Sequence, residues 1–146
     1  MKEDIRYIQR FANFEKAFFL LKEVCEDEDV MNYKNIAKEG VIQRFESTFE
    51  LMWKTLKDYL EFKEIEVIPV SPKQVIKMAA SSRVLEVMGV DGEILFDMAN
   101  KRNAMAHTYN ETNFNEVFSL IMSAYYGEVR AFYNYLWGVI FGEMGE

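Results

Sequence analysis

The sequence predicts an all-α fold, an antiparallel up-and-down bundle of four to five helices, and three observations predict it. Of 146 residues, two are proline and seven glycine, too little punctuation for a many-turned β architecture. Half the residues are apolar and 15% aromatic, enough for a sizeable core in a single domain spanning residues 1–146. Those apolar residues recur at steps of three and four, the period of a helix with one buried face.

The first helix runs from about Asp4 to Cys25. Tyr7, Phe11, Phe14, Phe18, Leu21 and Cys25 alternate steps of four and three, and the helix stops where Glu26, Asp27, Glu28 and Asp29 would oppose the negative end of its dipole. That acidic run reads as a solvated loop. A second helix, roughly Tyr33 to Phe62, aligns Ile42, Phe45, Phe49, Met52, Leu56 and Leu60, with Trp53 beside them. Glu64 to Val70 is a connector with some strand character, too short to found a sheet. Ser71, Pro72 and Gln74 form an N-cap, a proline at the first helical position and a capping-box residue, opening a third helix that should end near Gly89.

Asp91 can cap a fourth helix through Ile94, Leu95 and Met98 to Met105. Asn113, with Glu116 three residues on, can cap a long last helix. Its stripe is Phe114, Phe118, Ile121, Tyr125, Val129, Phe132, Leu136 and Val139.

Charge narrows the function classes. Seventeen Lys and Arg stand against 24 Asp and Glu, a net of −7, which disfavours an extended basic groove for nucleic acid and leaves room for local contact only. A single Cys25 and a single His107 cannot build a Cys/His zinc site or an internal disulfide. The acidic start at Glu3 and Asp4 does not fit a secretory signal, and Leu136 to Phe141 is far too short to span a bilayer, so the expectation is a cytoplasmic protein without a membrane partner.

The most informative stretch is Lys101 to Tyr109. At 100° per residue Arg102 falls within the arc of Leu95, Met98 and Met105, so a guanidinium sits in the stripe that should face the core. A buried cation needs a carboxylate, a bound anion or a cleft. Glu46 and Glu50 lie one turn apart on a flank of the second helix, and Glu46, nearer the apolar stripe, is the expected partner. A structural ion pair accounts for this pattern equally well. Two glutamates with one histidine could also hold a divalent ion, although their spacing matches no metal motif. His107 lies about 140° round an ideal helix from Arg102. The two can share a site only if the helix loosens around Ala106 and His107, or if a second copy of the chain supplies the complementary residue.

These residues resemble a family. Arg102, Asn103 and His107 fit the Arg-x4-His signature of HEPN domains with a polar residue after the arginine, and Tyr109 extends it to the Arg-x4-His-x-Tyr form of HepT-like proteins. Gln43 to Glu46, Phe49 and Glu50, Trp53 to Leu60, and Ser71 with Pro72 look like the nucleotidyltransferase substrate-binding proteins. The resemblance runs from about Val41 to Tyr126.

It implies a bundle that pairs as a homodimer or higher homo-oligomer, two motifs facing one cleft. Active members are metal-independent ribonucleases without a cofactor, usually toxins neutralised by a cognate small nucleotidyltransferase. That partner transfers AMP to the motif tyrosine, here Tyr109. Other members are described as non-catalytic subunits that present a nucleotide or other substrate to the transferase. Under the first reading Arg102 and His107 act on RNA, Asn103 orients a phosphate or the imidazole, and Lys101, Glu46 and Glu50 support them. Lys54 and Lys57 would add positive potential if their helix lies alongside. A helical adaptor, in which these residues matter only for stability, is a third reading.

Overall fold

The computed structural model describes the backbone of residues 2–107 and 111–142, and the side chains of residues 6–102 and 113–142. Helix α1, Lys2–Cys25, buries Tyr7, Phe11, Phe14, Phe18, Leu21 and Cys25, the stripe expected of it. A single 3-10 turn, Val30–Asn32, leads into α2, Asn35–Phe62. The two helices are antiparallel. Arg44 donates to the Leu20 carbonyl, Thr48 to that of Ala17, and Arg10 to the Asp58 carboxylate, so one helix climbs as the other descends.

The intervening acidic segment is a loop, but two of its carboxylates are engaged by tyrosines. Tyr33 donates to Asp27, and Tyr126, a hundred residues on, donates to Glu26. Burial at its own site and the bond to Glu26 both push the Tyr126 phenol above its ordinary range.

Residues 64–70 carry no strand; the segment has no partner strand to pair with, and its only fully buried side chain is Val67. Ser71 caps α3, Pro72–Ser81, by accepting the Gln74 N–H at 3.1 Å, as expected. The third helix does not run on to Gly89. It breaks at Arg83, whose φ of 68° is left-handed, and restarts as α4, Val84–Met88, before Gly89 turns left-handed again at φ 74°. Ser81 and Ser82 donate their hydroxyls back to the carbonyls of Met78 and Ala79, which ends the first segment, and the turn lets Val84, Leu85 and Met88 enter the core.

Helix α5, Gly92–His107, starts on Asp91, whose carboxylate accepts the Glu93 and Ile94 N–H groups at 2.9 and 3.4 Å. The last rod begins at Glu111, so Asn113 lies inside its first turn instead of capping it, and the carboxylate of Glu116 is drawn to Lys101 instead. Helix α6, Glu111–Leu120, passes through a π turn, Ile121–Tyr125, into α7, Tyr126–Trp137, and a second π turn, Gly138–Gly142. A π turn adds a residue per turn, and the second moves the buried position from the expected Val139 to Ile140.

The long rods pack antiparallel. Phe14 meets Phe132 edge-on at 5.3 Å and Phe11 stacks on Tyr133 at 5.5 Å, running α7 against α1. Asp91 receives Glu128, Asp97 receives Tyr125 and Lys101 receives Glu116, running α5 against α6 and α7. Helices α1, α2, α5 and the α6–α7 rod form the bundle, and α3 with α4 closes one end; no strand occurs among the described residues.

Candidate functional site

The C-terminal half of α5 lies beside the middle of α2. Arg102 Nη2 sits 2.6 Å from Glu50 Oε2, with the two side chains 33% and 31% exposed. The expected partner was Glu46, and the observed pair is one turn further on. Periodicity sets which face a helix turns inward but leaves its sliding position along a neighbour open, and an arginine reaches across a full turn. Glu46 remains within electrostatic range: burial pushes its carboxyl above the usual carboxylate range, and the Arg102 charge works against that rise.

Glu50 serves a second cation, since Lys54 Nζ lies 3.8 Å from its other oxygen. Lys57 turns away to Glu61 at 3.2 Å and Asp58 at 3.7 Å. The surplus of positive potential expected from these two lysines is therefore largely neutralised within α2. Lys101 is likewise engaged, at 3.0 Å from Glu116 and 3.8 Å from Asp97, and the Glu116 hydrogen bond is the main reason its ammonium stays protonated above the ordinary lysine range.

Helix α5 stays α-helical through His107, so its backbone does not loosen around Ala106 and His107. On an ideal helix positions 102 and 107 lie about 140° apart. The side chains of Asn103 and His107, and all of Tyr109, lie outside the described residues. Among the described residues no three His, Cys, Asp or Glu side chains converge as a metal ion would require, and Glu46 and Glu50 face cations.

Two neighbours of the site were not foreseen. Tyr125, in the first π turn, donates its hydroxyl to Asp97, which also faces Lys101, so the α6–α7 rod grips α5 one turn before Arg102. Burial and that bond push the Tyr125 phenol well above its ordinary range. Trp53, three residues from Glu50, keeps a buried indole N–H with no acceptor among the described residues. The signal for the Tyr125 contact was present as an Asp97 and Lys101 pair one turn apart. The π turn that aims the phenol has no sequence signature.

No helix among the described residues is long and apolar enough to cross a membrane. A search among curated proteins finds no match to the chain. Residues 9–137 match the family described as nucleotidyltransferase substrate binding protein like, a span that takes in the Arg102 pair, His107 and Tyr109 together with most of α1 and all of α2 and α7. With most of its length matched, the chain belongs to the nucleotidyltransferase substrate-binding-protein-like family.

Proposed function

We propose that this chain is a metal-independent ribonuclease of the HEPN toxin type, paired with a small nucleotidyltransferase that silences it by transferring AMP to Tyr109. The observation that carries the proposal is Arg102: a one-third exposed guanidinium, oriented from α2 by Glu50 at 2.6 Å, on a helix that ends five residues later at His107. The family supports the pairing through its description, which names a nucleotidyltransferase.

In such a reaction the 2′-hydroxyl of RNA attacks the adjacent phosphorus and the bond to the 5′-oxygen breaks, leaving a 2′,3′-cyclic phosphate and a 5′-hydroxyl. His107 takes the proton from the attacking hydroxyl or delivers one to the leaving oxygen. Arg102 stabilises the charge that develops on the phosphoryl oxygens, and Asn103 orients the phosphate or the imidazole. Because Arg102 and His107 start from different faces of α5, a homodimer would bring the His107 of a second copy towards Arg102. Silencing would proceed by attack of the Tyr109 oxygen on the α-phosphorus of ATP with loss of pyrophosphate. The bulk and charge of AMP would then exclude RNA from the cleft.

A second reading is favoured by the ion pairs. Arg102, Lys54 and Lys101 are all engaged by carboxylates, which suits a subunit that holds one nucleotide for the transferase better than an enzyme that grips a polyanion. Incubating the purified chain with RNA in EDTA separates the two. Cleavage lost in Arg102→Ala and His107→Ala, with helical circular dichroism retained, supports the ribonuclease. Nucleotide affinity lost with Arg102, without any cleavage or growth inhibition by the wild type, supports the binding subunit and overturns the ribonuclease. Intact mass after co-expression with the partner, with Tyr109→Phe as control, tests the modification. A monomer at micromolar concentration in analytical ultracentrifugation would remove the shared cleft.

A further inference from the structure

A cavity lies at the C-terminal end of α2, where Lys63, the connector after it, the α3–α4 junction and α7 meet. It encloses about 230 Å³. It is lined by apolar Ile65, Val84 and Val87 and by the phenols of Tyr59 and Tyr135. Its charged lining is Lys63 and Arg83, and among the described residues no carboxylate lines it.

In a chain of net −7, Lys63 and Arg83 form no ion pair among the described residues. Lys63 leans on an aromatic ring instead, its Nζ 5.8 Å from the centre of Tyr59. Arg83 occupies a left-handed position, at φ 68°, where glycine would be relaxed, as it is at Gly89 one helix later. Glu61, Glu64 and Glu66 line a neighbouring depression that shares Ile65 with the cavity. Two cations with no ion pair among the described residues, beside apolar and phenol side chains, suit a ligand with a flat apolar body and one acidic head.

We propose that this cavity binds a small organic anion of the aryl phosphate or aryl carboxylate class, with its ring between Val84, Val87 and Tyr135 and its acidic head on Lys63 and Arg83. The site is separate from Arg102 and does not depend on the reading of the motif.

Phenyl phosphate, with inorganic phosphate and phenol as the head-only and body-only probes, tests it by ¹H–¹⁵N and methyl NMR titration of the full chain. The expected result is saturable shifts centred on Arg83, Val84 and Val87 for phenyl phosphate, with affinity at least tenfold above either fragment. Arg83→Gly relieves the left-handed backbone while removing the cation, so it should keep or raise the melting temperature and weaken binding about tenfold, the order of one lost charge-assisted contact. Lys63→Gln should do the same to binding. Linear, unsaturable shifts, equal affinity for inorganic phosphate, or unchanged affinity in both variants would each overturn the proposal. Benzoate in place of phenyl phosphate distinguishes a carboxylate head from a phosphate.

Discussion

Replacing Arg102 with methionine separates a catalytic cation from a structural one, because the two roles predict effects of different size. The substitution keeps most of the aliphatic stem and removes the 2.6 Å contact to Glu50. Both partners are about one-third exposed, and Glu50 retains Lys54 at 3.8 Å, so solvent screening holds the loss near 1 kcal/mol. For a chain of this length that lowers Tm by roughly 3 °C. A group that stabilises charge only in the transition state is worth far more, with a rate loss of about 10²- to 10³-fold when it is removed. The assay is cleavage of a fluorophore-quencher RNA in EDTA, beside thermal melts followed by circular dichroism. Glu50→Gln is the control: it loses the same ion pair but keeps the guanidinium, so its Tm should fall as far while its rate stays within about tenfold. A Tm drop above roughly 10 °C in Arg102→Met, or a rate within about threefold of wild type, would refute the assignment.

Arg10→Leu removes the Nε donor 2.7 Å from Asp58, a carboxylate 1% exposed; with Arg10 itself 41% exposed, the cost should be about 2 kcal/mol in urea unfolding, and a loss under roughly 0.5 kcal/mol would show that Lys57 alone satisfies Asp58. Burial raises the folded-state pKa of Glu46, so the native state holds its proton longer than the unfolded chain. That contribution to stability is present at low pH and lost as pH rises above the ordinary value of 4.5. Glu46→Gln should therefore flatten stability against pH in that range and raise it at neutral pH, and a steeper profile would reverse the sign. Gly89→Ala meets no atom within 4 Å of the new Cβ, so its cost is confined to the left-handed backbone at φ 74°, about 1 kcal/mol in the denaturation midpoint; a neutral effect would mean that the turn relaxes.

What could be read in the sequence follows from which forces are local. The stripe of α1, and the caps at Ser71 and Asp91, depend on neighbours within a turn, and the structure reproduces each. Three features depend on partners distant in the chain. Arg102 meets Glu50 and not Glu46 because the sliding position of α5 on α2 is set by the whole core. Asn113 loses its capping position to a helix that starts two residues earlier and sends Glu116 to Lys101. The π turn at Ile121–Tyr125 leaves the apolar spacing intact while turning Tyr125 towards Asp97. Arg83 is a fourth case, since nothing in its neighbours marks a left-handed residue where glycine is the usual choice.

The ion pairs around α5 set a condition on any anion that binds there. The last turn of α5 carries the negative end of its helix dipole, which opposes a phosphate, so attraction must come from side chains. The cations in the turn before it are already held, Lys101 by Glu116 from α6 and Arg102 by Glu50 from α2. A phosphate approaching Arg102 therefore competes with Glu50 or binds the guanidinium alongside it, and only the second course keeps the side chain oriented by Glu50. Glu50, open to water over about a third of its surface, can be solvated if released, which keeps the first course affordable. The two courses differ in an observable: competition makes Glu50→Gln tighten phosphate binding, whereas addition makes it loosen binding by freeing the guanidinium to wander. Ground-state affinity in that single variant thus reports whether Glu50 is a competitor or a positioning residue for Arg102.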